Sequence, residues 1–330
     1  MESNTCPAQN GAKVSQGLHG VRERARRNKQ ERFTTLLHHV TTTLLSDSFY
    51  ALKRNAAPGV DGMTWREYET GLEDRLQDLH GRVHRGAYRA TPSRRQWIAK
   101  ANGKQRPLGI AALEDKIVQQ AVVTVLNAIY EEDFRGFSYG FRPGRSPHMA
   151  LDALYVAIKR KKVNWILDLD IRSFFDQIDH ECLKRLIEVR IADPRILRLI
   201  QKWLKAGVIE DGVWPATEAG TPQGAVISPL LSNVYLHYVL DQWSDQWRQK
   251  RQGTITIIRY ADDAIVGFQN QDEAQQYLRE LKVHLCQYGL ELNEDKTKLI
   301  RFGRFAGQNR AERGEGKPET FTFMGFKHIC

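Results

Sequence analysis

Ile257-Ile258-Arg259-Tyr260-Ala261-Asp262-Asp263-Ala264-Ile265-Val266-Gly267-Phe268 sets two adjacent carboxylates in the middle of a mostly apolar run. The apolar halves read as two short strands hinged at Ala261-Asp262-Asp263. Ionised carboxylates among apolar neighbours are costly to desolvate unless something positive binds them. An Asp pair also suits a hairpin tip on turn chemistry alone. Taken by itself, the segment leaves both readings open.

A second acid-bearing strand weakens the plain turn. Trp165-Ile166-Leu167-Asp168-Leu169-Asp170-Ile171-Arg172-Ser173-Phe174-Phe175-Asp176 again carries acids on an apolar strand. Asp168 and Asp170 are two residues apart and so project from one face. Three carboxylates converging from two strands suit two Mg²⁺ ions, which take few protein oxygens and complete their shells with water and phosphate. Two such ions serve an in-line phosphoryl displacement.

Outward from these strands the pattern alternates. Apolar spacing predicts helices over Phe33–Lys53, Thr64–Leu79, Leu113–Glu132 and about 271–288. Asp179 is placed to cap a helix running to Arg190, and Ser228-Pro229 to open one running to Gln249. Residues 94–110 read as a basic hairpin turning at Asn102-Gly103. Strands are expected near 297–302 and 321–326, with a polar loop over 303–319 between them. Residues 1–30 read as poorly ordered or as a short basic helix. The expected class is α+β, with helices packed on a small, mainly antiparallel sheet.

The chain has 330 residues, with 49 Lys and Arg against 39 Asp and Glu, a net charge of +10. Hydrophobic residues at 41% and charged residues at 27% exclude disorder throughout. No apolar run reaches a membrane span, and no secretory apolar segment follows Met1. Cys6, Cys182, Cys286 and Cys330 are far apart and form no metal or disulfide pattern, which fits a reducing, cytoplasmic setting; Cys182 and Cys286 read as small core residues. Trp243 and Trp247 read as helix packing. No phosphate loop, HExxH or GxSxG element is present. Between Asp78 and Glu114 no acid occurs, while Arg82, Arg85, Arg89, Arg94, Arg95, Lys100, Lys104 and Arg106 are interleaved with Tyr88 and Trp97. Cations with aromatics and no counter-charge suit phosphate contact and base stacking.

The chain resembles reverse transcriptases, most closely those encoded by group II introns. Tyr260-Ala-Asp-Asp263 matches the family's catalytic box. In the family's order stand Ala57-Pro-Gly-Val-Asp-Gly62, Lys100-Ala-Asn-Gly-Lys-Gln-Arg-Pro-Leu-Gly-Ile110 and Ser138-Tyr-Gly-Phe-Arg-Pro-Gly-Arg-Ser146. Asp170-Ile-Arg-Ser-Phe-Phe-Asp176, Gly220-Thr-Pro-Gln-Gly-Ala-Val-Ile-Ser-Pro-Leu-Leu231 and Phe323-Met-Gly-Phe326 complete the set, with Gly289-Leu-Glu-Leu-Asn-Glu-Asp-Lys-Thr-Lys298 before the last.

The resemblance implies a right-hand polymerase: a basic, flexible segment over 1–34, fingers over 35–160, and a palm over 161–330. It implies Asp170 and Asp262 as direct ligands of Mg²⁺ (or Mn²⁺), with Asp263 the third catalytic acid. Asp170 is preferred to Asp168 because it stands five residues before Phe175, which resembles the side chain that excludes a 2′-hydroxyl. Asp168 is then structural support. Lys100, Arg106, Gln223 and Lys296 resemble nucleotide contacts, while Arg94, Arg95, Lys104, Arg142 and Arg145 would meet nucleic acid. The implied partners are an RNA template, a DNA primer, dNTPs and intron RNA, with no membrane. Ala99 and Ala111-Ala112 depart from the family, which often has Pro there. The family's helical thumb is expected after Phe326-Lys-His-Ile-Cys330 and is not found, so the alternative reading is a truncated, inactive RNA-binding remnant.

Overall fold

The computed structural model describes residues 16–99, 103, 105–209, 220, 224–303 and 305–329. Lys100, Asn102, Lys104, Gln223 and the side chain of Arg106 lie outside the described residues. In chain order the helices of the first half are α1 (Gln16–Arg27), α2 (Thr42–Ala51), α3 (Trp65–Glu69), α4 (Leu72–His84), α5 (Leu113–Asp133) and α6 (Pro147–Arg160). Then come α7 (Phe174–Gln177), α8 (His180–Glu188), α9 (Pro194–Ala206), α10 (Ser228–Leu236), α11 (Gln242–Gln249), α12 (Gln271–Cys286) and α13 (Ala306–Glu312). The strands are β1 (Ser93–Ala99), β2 (Gln105–Ile110), β3 (Trp165–Leu169), β4 (Val208–Ile209), β5 (Ile255–Tyr260), β6 (Asp263–Phe268), β7 (Lys298–Arg301), β8 (Phe321–Phe323) and β9 (Phe326–His328). No helix among the described residues is long and apolar enough to cross a membrane. The chain divides into two compact units.

One unit comprises residues 1–133 and 178–232. Its sheet has the order β2-β1-β4, with β1 antiparallel to β2 and parallel to β4. The two strands of the basic hairpin are therefore present, paired from Arg94 with Ile110 to Ala99 with Gln105, while Asn102 of its expected turn lies outside the described residues. Helix α5 buries Ile117, Val118, Ala121, Val122, Val125, Leu126 and Ile129, the stripe its spacing predicts, and α1 and α2 pack on it. Helix α1 buries Leu18, Val21 and Ala25, so the helical alternative for the N-terminal region holds over 16–27.

Two predicted helices are broken. Residues 33–53 contain only a 3₁₀ turn at Leu37–His39 before α2, which Thr41 caps by accepting from the Leu44 amide at 3.1 Å. The pattern after Thr64 opens with a capping box to Glu67 but stops at Glu69, and Gly71 at φ +73° starts a second helix. Gly59 packs its backbone so closely on the neighbouring strand end that an added Cβ would lie 2.6 Å from the Cα of Ala112. Gly59→Ala is expected to destabilise this unit by about 1–3 kcal/mol in urea unfolding. Gly136→Ala, with open space at the added atom, is expected to change stability by less than about 0.5 kcal/mol.

The other unit comprises residues 134–177 and 233–330. Its sheet runs β5-β6-β3-β7 with every neighbour antiparallel. Ala150, Leu154 and Ala157 of α6 join Ile166, Ile258, Ile265 and Ile300 in one core. Helix α12 packs on β3 and β6, with the Tyr277 and Phe268 rings 5.3 Å apart. The predicted helix over 228–249 is interrupted by a π-helical segment at His237–Asp241. Helix α13 occupies part of the expected loop 303–319. Trp247 is buried and donates to Glu280 at 2.6 Å, as the packing reading expects. Cys182 is buried, whereas Cys286 is exposed at the end of α12 and is no core residue.

Candidate active site

Strands β5 and β6 pair Tyr260 with Asp263 and so leave Ala261-Asp262 as a two-residue turn. Ala261 takes φ +57°, left-handed backbone that costs a residue bearing a Cβ about 1–2 kcal/mol. Pairing of Asp168 with Ile265 and of Leu169 with Ala264 carries Asp170 and Asp263 to the same end of the sheet. Alternation puts Asp168, Asp170 and Asp263 on one face. Beyond β3, the bridge between Ile171 and Leu292 and the Asn293 amide donating to the Asp170 carbonyl at 2.8 Å fix the backbone at Asp170.

The charges in this corner repel one another. Burial, then the negative charges of Asp263 and Asp170, push Asp168 up to about 6, against the pull of Lys298 across the β3–β7 pair. Crowding by protein, then Asp262 and Asp170, push Asp263 up to about 6 as well, although its side chain lies on the exposed edge of the hairpin. Lys296 Nζ donates to Asp170 Oδ2 at 2.8 Å, and that hydrogen bond holds the ammonium above its ordinary range. Among the described residues no three His, Cys, Asp or Glu side chains converge closely enough to hold a metal ion unaided. The donor set nonetheless suits one: the oxygens are hard, the carboxylates crowd one another, and a divalent cation relieves that repulsion.

The other predicted residues are scattered. Phe175 is half-buried on α7, just after Ser173 at φ +43°, with its ring 5.4 Å from that of Phe174. Arg95 lies 5.9 Å over the Trp97 ring, and Trp97 and Ile98 are about half exposed on β1. Arg94 donates to the Pro58 carbonyl at 3.0 Å. Arg145 sits 5.4 Å over the Tyr139 ring. Arg142 requires correction. It is 4% exposed, donates to the carbonyls of Arg135 (2.8 Å) and Ser138 (2.6 Å), and covers the Phe134 ring, so its guanidinium is internal structure and not a nucleic-acid contact. The acid-free run is also less bare than it reads, because Arg82 pairs with Asp78 (2.7 Å) and Glu114 (2.8 Å).

One residue beneath the turn escaped the reading altogether. Arg259 is wholly buried, and the one signal in the sequence is a lone cation inside an apolar strand. Its Nε donates to Asp241 Oδ1 at 2.7 Å and its Nη2 to Asp241 Oδ2 at 2.6 Å. Its Nη1 donates to Asn233 Oδ1 at 3.0 Å and to the Ala261 carbonyl at 2.8 Å.

Strand β3, bearing Asp168, thus lies antiparallel against a β5–β6 hairpin whose turn is Tyr260-Ala-Asp-Asp263. Residues 98–328 match the family model described as reverse transcriptase (RNA-dependent DNA polymerase). The chain belongs to that family, which makes it a nucleotidyltransferase of the RNA-directed DNA polymerase kind.

Its relatives place it among group II intron reverse transcriptases. It is 36% identical to protein YkfC of Escherichia coli over 73% of this chain and 72% of that protein. It is 37% identical to the group II intron-encoded protein LtrA of Lactococcus lactis over 70% of this chain and 39% of LtrA. With an uncharacterised 91 kDa protein in the cob intron of Schizosaccharomyces pombe it shares 42% identity over 48% of this chain and 20% of that protein. The match thus spans well under half the length of the two intron proteins.

Proposed function

We propose that this chain adds deoxynucleotides to a primer 3′-hydroxyl on an RNA template, with Asp170, Asp262 and Asp263 as the catalytic acids. The observation that carries the reading is the strand register, which brings Asp170 at the end of β3 and the Asp262-Asp263 turn of the β5–β6 hairpin to the same end of one sheet. Asp170 and Asp262 would hold divalent cations, with Asp263 beside them. When bound, such cations neutralise charge on the attacking and leaving oxygens of an in-line displacement. The protein's part is to hold the carboxylates together and oriented before substrate arrives. Lys296 fits this role by keeping a positive partner on Asp170.

Fingers over 35–160 and a palm over 161–330 are part of the same proposal, as are the nucleotide contacts of Lys100, Arg106, Phe175 and Gln223, which rest on the matched sequence blocks. Arg95 with the exposed Trp97 suits a nucleic-acid backbone and an unpaired base. Intron RNA is the natural template class, given the intron-encoded relatives.

Primer extension on an RNA template with Mg²⁺ and dNTPs tests the proposal. Product that lengthens with time supports it. Tight RNA binding with no extension at any enzyme concentration would favour the RNA-binding remnant. Lys296→Met is expected to raise KM for dNTP about tenfold while leaving the urea midpoint unchanged, because an ion pair this exposed contributes about 0–1 kcal/mol. An unaltered KM would reduce Lys296 to a surface partner of Asp170.

A further inference from the structure

We propose that Arg259, Asp241 and Asn233 form a buried positioning lock that sets the backbone of the Ala261-Asp262 turn. The inference rests on the reading that this turn carries a catalytic acid, and it adds the residues that hold it in place.

The turn needs holding. Ala261 sits at φ +57°, and conformations of this kind persist only where the surroundings over-determine them. Arg259 lies two residues before Ala261, and strand alternation sends its side chain to the sheet face opposite Asp168, Asp170 and Asp263. From there its Nη1 reaches back to the Ala261 carbonyl at 2.8 Å. A guanidinium on a flexible stem would hold nothing if it were free. Here the fork is fixed at its other edge by two parallel hydrogen bonds to Asp241, and at Nη1 by Asn233.

The helix beneath is shaped for this. Residues eight apart in an ideal α-helix stand about 80° out of line. Asn233 and Asp241 are eight apart, yet both bond the same guanidinium. The π-helical segment His237–Asp241, with its wider turns, takes up that angle and ends on Asp241.

The segment 137–140 closes the lock from another side. The Arg259 amide donates to the Phe137 carbonyl at 2.9 Å, and the Tyr139 amide to the Arg259 carbonyl at 2.8 Å. Asn233 Nδ2 donates to the Gly140 carbonyl at 2.7 Å. Gly140 lies so tightly on the turn that an added Cβ would drive into the Ala261 amide nitrogen. Asn233 thus bonds both parts that touch Ala261, the guanidinium and the Gly140 backbone.

Truncating Arg259 or Asp241 strands a buried charge and threatens the fold, so the test uses Asn233→Ala and Gly140→Ala, which leave the ion pair whole. Backbone hydrogen exchange over residues 257–264 is measured beside kcat and KM for dNTP. The lock predicts exchange at least tenfold faster in both variants, kcat lowered 10–100-fold, and KM within about twofold of the parent. A substitution that merely loosened the fold would raise exchange across the whole unit, α12 included. Unchanged exchange over 257–264 overturns the proposal, and so does faster exchange with an unaltered kcat. The exchange comparison stands even if the parent protein extends no primer, so failure of the polymerase reading is told apart from failure of the lock.

Discussion

Asp262→Asn is expected to abolish primer extension, lowering the rate at least about 10³-fold, which is about 4 kcal/mol of transition-state stabilisation. The substitution is nearly isosteric and keeps a side-chain acceptor, so the two-residue turn should stay as it is. What it removes is one of the like charges that burden Asp263. Thermal stability should accordingly hold or rise slightly, while the capacity to bind a divalent cation falls. That combination separates a catalytic carboxylate from a turn-forming one, since an Asp that serves only the turn would be replaced by Asn with both stability and rate spared.

Asp168→Asn is the matched control. Asp168 shares the face and is pushed up to about 6 by burial and by Asp263 and Asp170, yet the assignment gives it a supporting part, so extension should stay within about tenfold of the parent. Gel-resolved extension on an RNA template with a DNA primer, at several Mg²⁺ concentrations, reads both. Parent-like extension by Asp262→Asn would remove the catalytic assignment, and a larger loss in Asp168→Asn than in Asp170→Asn would exchange the roles of those two acids.

The parts of this site legible in the sequence are those with a local signature. Two acids inside an apolar run mark the hairpin, and two-residue spacing puts Asp168 and Asp170 on one face; the register then realises both. The α5 stripe and the cap at Asp179 are local too, Asp179 accepting from the Cys182 amide at 2.6 Å. What the sequence conceals is decided by partners far along the chain. The apolar periodicity of 33–53 fits one helix, but the amides of Leu36 and Leu37 bond to Asp193, more than 150 residues away, and the chain takes a single 3₁₀ turn there. Arg142 carries a charge that suits nucleic acid, yet a pocket of backbone carbonyls beside Phe134 takes it inside. Arg259 reads as a strand residue until the π-helical turn brings Asp241 beneath it. Buried cations satisfied by distant partners are the class of residue that local patterns miss.

Asp193→Ala is expected to cost the first unit about 3 kcal/mol or more, because one wholly buried carboxylate satisfies donors from two separate segments. Its Oδ2 accepts from the amides of Leu36 (2.6 Å) and Leu37 (3.0 Å), and its Oδ1 caps α9 through the amides of Arg195 (2.8 Å) and Ile196 (3.4 Å). Alanine leaves the Leu36 and Leu37 amides buried without an acceptor and uncaps the helix at once. Asparagine would not rescue fully, since its NH₂ group must face one pair of donors.

The pH dependence gives the loss a signature. Burial alone pushes this carboxyl up, but the amide hydrogen bonds from Leu36, Leu37 and Arg195, with the Arg195 charge, outweigh it and hold it below the usual carboxylate range. A depressed folded-state pKa contributes stability that is complete above the unfolded value, near 4, and is lost as pH falls through the folded value. The gap between parent and Asp193→Ala in urea midpoint should therefore be constant from pH 7 to about 5 and narrow steadily below 4. A gap that is small at pH 7, or that widens on acidification, would show that the carboxylate does not join these two segments.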